Sequence, residues 1–178
     1  QSIEHLSALL GGHDVIVRTM PNTPAAIGLG MTALIASDGV SVAQKQDAGH
    51  LMQAVGETVW LDSQKQMDAV TAISGSGPAY VFYLAETMMS AGVSLGLSEE
   101  MALQLARQTI VGAATMMVQS DTSPSQLRRN VTSPNGTTEA ALDVLMAETG
   151  GLGTLMRQAT QAAALRNRQL ADLDKDDD

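Results

Sequence analysis

The pattern of apolar residues changes character near residue 63, and that break limits the architecture more than any other feature of the chain. Upstream lie three short apolar runs, Val15-Ile16-Val17-Arg18-Thr19-Met20, Met31-Thr32-Ala33-Leu34-Ile35-Ala36 and Thr58-Val59-Trp60-Leu61, which read as strands. Between the last two, Val42 to Val55 carries apolar residues among polar ones, as a helix laid on a sheet does. Three short strands leave sheet edges without partners, so residues 1–62 read as the C-terminal part of a larger α/β domain. Downstream, strand-like runs stop and long Ala/Leu/Met-rich segments take over, which predicts an all-α region over 63–171.

The helix stops are written in the sequence. Pro78 suits the first turn of a helix running to about Leu95, which Gly96 ends. Ser98 caps the next, with Glu99 and Glu100 at its positive end, and that helix reaches about Gln119. A short helix spans Pro124 to Asn130, Val131 to Gly136 form a turn, and another helix runs to about Glu148. Gly150 and Gly151 break it before a last helix from Leu152 to Leu170. The end, Asp172-Leu173-Asp174-Lys175-Asp176-Asp177-Asp178, reads as an acidic disordered tail.

Composition removes several classes of chemistry. With no cysteine and only His5, His13 and His50, none at ligand spacing, thiol catalysis, disulfides and a metal centre are not expected. A net charge of −9 disfavours nucleic acid as a partner. Neither a membrane span nor a signal peptide is supported, which makes the cytoplasm the default location. No Ser/His/Asp set or carboxylate pair points to hydrolysis; a hydroxyl-rich site suits chemistry borne by a cofactor.

Three loops offer polar groups where the chain enters or leaves a regular element. Met20-Pro21-Asn22-Thr23-Pro24 follows a strand, where open α/β sheets gather ligands, although a rigid surface turn has the same composition. Ser74-Gly75-Ser76-Gly77-Pro78 allows close backbone approach at a helix start, either for a ligand or for helix packing; it lacks the spacing of a dinucleotide fingerprint. Asn130-Val131-Thr132-Ser133-Pro134-Asn135-Gly136-Thr137-Thr138-Glu139 enters a helix with neutral donors that fit a carboxylate, or simply a capped helix start.

Taken together and in order, Arg18 to Pro24, Ser74 to Tyr80 and Asn130 to Glu139 resemble the three hallmark segments of pyrroline-5-carboxylate reductases, over roughly residues 2–171. The resemblance implies an N-terminal Rossmann domain that holds NADPH or NADH and a helical domain that forms an intertwined homodimer, often assembled further into a decamer. It implies NAD(P)H-dependent reduction of 1-pyrroline-5-carboxylate to L-proline, the last step of proline biosynthesis. By the same resemblance Met20, Pro21, Asn22 and Thr23, with Gly75, Ser76, Gly77 and Pro78, approach the cofactor. Asp121, Val131, Ser133, Gly136, Thr137 and Thr138 take the substrate, with Thr138 as hydrogen-bond partner of the ring nitrogen. The two sets often come from different subunits.

Two departures stand out. Asn135-Gly136 replaces the common Gly-Gly pair, and Asn tolerates left-handed backbone, so the loop shape is expected to survive; Asp121 stands where some members carry a glutamate. The glycine-rich phosphate loop of a Rossmann domain is not in the sequence, so the chain by itself is expected to be poorly active. The alternative is a non-catalytic oligomerisation module derived from the same enzyme. A hydroxyacid dehydrogenase would need a catalytic lysine, and Lys45, Lys65 and Lys175 lie in no motif.

Overall fold

A computed structural model describes residues 2–176, with side chains described as far as residue 171. Contacts divide the chain into two units, 1–78 with 158–178, and 79–157.

The first unit is built on a three-stranded sheet in the order β1-β2-β3, with β1 at Val17–Met20, β2 at Gly30–Ala36 and β3 at Gly56–Trp60. β1 runs antiparallel to β2, pairing Val17 with Ala36, and β2 runs parallel to β3, pairing Gly30 with Gly56. Gly56 has φ 144°, and a Cβ there would collide with the Gly30 carbonyl oxygen, so the parallel pair can begin only with glycine. The central strand carries the core: Ala33, Leu34 and Ile35 are buried, with Ile16, Val40, Met67 and Ala72 around them. Thr32 is buried in the same strand, and its hydroxyl has no hydrogen-bond partner among the described residues.

Helix α2, Val42–Gln53, packs on β2 and β3 and opens with a reciprocal capping box between Ser41 and Gln44. The sequence did not announce α1, Ile3–Leu9, or α3, Gln66–Val70. Both are too short to persist alone, and tertiary bonds hold them. Gln64 accepts the Ile3 N–H at 3.0 Å and donates to Glu4 at 3.1 Å. Asp68 of α3 accepts from Asn167 at 2.7 Å and lies 4.0 Å from the Arg168 guanidinium, which ties residues 167–168 to this unit.

The second unit is helical. It comprises α4, Gly77–Ser94, from Ala79 onward, then α5, Glu99–Val118, α6, Pro124–Asn130, α7, Thr137–Leu145, and the start of α8, Leu152–Asp176. The expected stops hold: Gly96 adopts φ 97° after α4, and the Ser98 hydroxyl accepts the Met101 N–H at 3.3 Å to cap α5. α4 and α5 approach through small residues, since a Cβ on Gly92 would lie 3.0 Å from that of Ala102. Ala102 and Ala106 are the buried hydrophobic residues of this unit, whereas Phe82 is 67% exposed, Tyr83 65% and Val118 87%. α7 ends at Leu145, three residues early. α8 runs past Leu170 to Asp176, which corrects the expectation of a disordered segment for the backbone of 172–176, because extending a formed helix costs little. Residues 177 and 178 of that expected tail lie outside the described residues. No helix among the described residues is long and apolar enough to cross a membrane.

Candidate active site

In the first unit the structure brings the first two loops together through one side chain. Met20 closes β1, and Asn22 precedes a 3-10 helix at Thr23–Ile27 whose first turn holds Pro24. The Asn22 amide nitrogen donates to the Ser74 carbonyl at 3.2 Å and to its hydroxyl at 3.3 Å, while the amide oxygen accepts the Met31 N–H at 2.9 Å. Both ends of the amide are therefore engaged in bracing protein against protein. A Cβ on Gly75 would come within 3.0 Å of the Met20 methyl, so these residues also adjoin. Pro21 and Thr23 are exposed, Ser76 and Pro78 half-buried, and a Cβ on Gly77 would meet nothing within 4 Å.

Thr71–Gly75 forms a π-helical turn that joins α3 to α4, and the Ser76 N–H donates to the Thr71 carbonyl at 2.8 Å. The helix is thus entered from another helical turn, and a single π turn of this kind is frequent at functional sites. Nothing in the short Thr71-Ala72-Ile73-Ser74-Gly75 segment marks it as π rather than as a glycine turn.

In the second unit the third loop joins α6 to α7 through a tight turn. Thr132 donates its N–H to the Arg129 carbonyl at 3.0 Å and its hydroxyl to that of Arg128 at 2.7 Å; the Gly136 N–H donates to the Ser133 carbonyl at 3.0 Å. Asn135 takes the left-handed geometry expected of it, φ 56°. Gly136 then caps α7 with no side chain to accept from the first turn, which leaves the N–H groups of Thr137 and Thr138 for water or a ligand. A Cβ on Gly136 would lie 2.9 Å from the Ser133 carbonyl oxygen, so the turn closes only around glycine. Val131, Ser133 and Thr137 are exposed and Thr138 half-buried. Asp121 is exposed in the connection from α5 to α6, and no hydrogen bond among the described residues ties it to this loop.

Two charged groups outside the expected set shape the first unit. Burial pulls the Arg18 guanidinium down from its ordinary value, against the opposing pull of Asp68 and Glu4. The Glu4 carboxyl is held below the usual carboxylate range by hydrogen bonds to its own N–H, to Ser2 and to Gln64. The second unit adds a groove of about 680 Å³, lined by Leu142, Leu145, Met146 and Met156 together with Arg128 and Arg157. Leu142 and Leu145 lie in α7, Met146 follows it and Met156 lies on α8, and their spacing does not tell a groove from a packed face.

A family model described as pyrroline-5-carboxylate reductase dimerisation matches residues 64–170. The chain belongs to the pyrroline-5-carboxylate reductase family. It is 51% identical to the pyrroline-5-carboxylate reductase of Pseudomonas aeruginosa, over 94% of the chain and 60% of that protein. To the Haemophilus influenzae reductase it is 42% identical, over 97% of the chain and 63% of the relative. Among solved structures, a pyrroline-5-carboxylate reductase from Coxiella burnetii superposes with a TM-score of 0.89 at 43% identity, covering 95% of this chain and 62% of that one. The Plasmodium falciparum pyrroline carboxylate reductase, solved with NADP bound, gives 0.80 at 34% identity, covering 92% and 62%. The chain thus spans about 60% of the length of the relatives it matches.

Proposed function

We propose that this chain supplies the substrate-binding and subunit-joining part of an NAD(P)H-dependent reductase that converts 1-pyrroline-5-carboxylate to L-proline in the cytoplasm. The observation that carries this reading is the open start of α7, where the left-handed Asn135 and side-chain-free Gly136 leave first-turn donors beside two threonine hydroxyls. A five-membered ring bearing one carboxylate needs such a site, because N–H groups at a helix start hold an anion without a titrating group. Ser133, Gly136 and Thr137 would hold the carboxylate, Val131 would contact the ring, and the Thr138 hydroxyl would bond the ring nitrogen. Asp121 would stand near the substrate as the family glutamate does.

The paired loops of the first unit fit the nicotinamide end of a dinucleotide. The Asn22 bracket holds Met20–Thr23 against Ser74–Gly75, and the open space at Gly77 leaves room for a flat ring. Bound there, the reduced cofactor would supply a hydride to the imine carbon. With the ring nitrogen already protonated as the iminium, the C=N electron pair would settle on it to leave the neutral ring amine, whose N–H the Thr138 hydroxyl would hold. Positioning of this kind removes on the order of 7 to 11 kcal/mol at best and needs no strong acid or base.

A second reading, a non-catalytic oligomerisation module, draws support from the match to a dimerisation model and from the exposed Phe82, Tyr83 and Val118. Light scattering followed by calorimetric titration separates the two. A homodimer, or a larger assembly such as a decamer, that binds proline supports the substrate reading. A well-folded dimer that binds neither proline nor NADPH leaves the module.

A further inference from the structure

Glu139 belongs to none of the residues assigned above, yet it makes the shortest side-chain bond in the third loop, accepting the Asn135 N–H at 2.6 Å. Its place is the third residue of α7. In an ordinary capping box a glutamate there turns back to the N–H of the cap residue itself. Here the cap residue Gly136 gives its N–H to Ser133, and Glu139 reaches one residue further, to Asn135. Asn135 is the one non-glycine residue with positive φ among the described residues. A side chain costs energy in that geometry, so a bond that secures it secures the turn.

We propose that Glu139 is the positioning residue of the 131–138 loop. Its carboxylate clamps the left-handed turn from behind, so that the first-turn N–H groups of α7 point at substrate while the clamp stays out of the anion position. The same carboxylate carries a negative charge in the first turn of a helix, where it shares the favourable field with any bound anion. Glu139 therefore shapes the site and, by its charge, keeps a carboxylate ligand from binding too tightly. Gln at this position retains the accepting oxygen without the charge; Ala retains neither.

This inference rests on the substrate reading of the loop, and two readouts on the full chain keep the two apart. Hydrogen exchange of the Asn135 amide, followed by NMR, reports the clamp without any ligand. Glu139→Ala should speed that exchange at least about ten-fold, and Glu139→Gln should restore most of the protection. Calorimetry with proline reports the consequence: about five- to ten-fold weaker binding for Glu139→Ala, and for Glu139→Gln binding no weaker than wild type and up to about five-fold tighter. Unchanged exchange in Glu139→Ala, or proline binding by Glu139→Gln as weak as by Glu139→Ala, overturns the proposal. Should the wild-type chain bind no proline, the substrate reading of the loop fails, and the exchange data alone decide whether Glu139 is the clamp.

Discussion

At the residue scale, the side chains that matter most are those whose polar atoms have either every partner or none. Thr32 is 1% exposed and its hydroxyl is unpartnered, which forfeits the desolvation of that group with no return. Thr32→Val, of nearly the same shape, should stabilise the first unit by about 1 kcal/mol and raise the melting temperature by roughly 2 to 4 °C in calorimetry. Asn22 is the opposite case, with its three bonds reaching Ser74 and Met31. Asn22→Ala should cost about 1 to 3 kcal/mol and loosen the pairing of the two loops, seen as faster amide exchange at Met31 and Ser76. The resemblance to the reductase family placed Asn22 among the cofactor contacts, whereas the residues alone offered either a ligand loop or a rigid surface turn. That its amide braces Ser74 could not be read there, because the bond spans 52 residues. Asn135 was readable, since Asn tolerates left-handed backbone and stands where the resembled family commonly has glycine.

The elements divide along the same line. Helices with local signals, such as Ser98 and Pro124, fall where the sequence puts them, because capping chemistry acts within four residues. α1 has such a cap in Ser2, whose hydroxyl accepts the His5 N–H at 3.1 Å, but it is also tied to Gln64, and α3 is tied through Asp68 to Asn167; no local window of sequence contains those distant partners. α1 should also be the acid-sensitive element. Its Glu4 carboxyl loses its proton more readily when folded, so the unfolded chain binds more protons and stability rises with pH. The contribution is complete above the ordinary carboxyl value near 4.5 and drains away as pH falls through the lowered folded value. Amide exchange of residues 5–9 should therefore accelerate in acid before that of β2, and Gln64→Leu should flatten this dependence.

For the whole molecule, the decisive fact is how little of the 79–157 unit is buried. With Ala102 and Ala106 as its buried hydrophobic residues and large apolar side chains in the open, its helices form half a core. A second copy is the economical way to complete it, in keeping with the dimerisation family it matches. Folding coupled to association makes stability depend on concentration, so the melting temperature should rise by several degrees over a hundred-fold increase in protein. A concentration-independent transition in a monomer would show that the unit stands without a partner.

The tie from Asp68 to Asn167 and Arg168 sets an order of events during synthesis. The first unit is discontinuous, and its 158–176 stretch leaves the ribosome only after all of 79–157 has been made. Translation at about 5 to 20 residues per second gives the helical unit several seconds of freedom before Asp68 meets its partners. The nascent chain is thus given time to find the helices of 79–157 before the 158–176 stretch is sewn to what was made ahead of them.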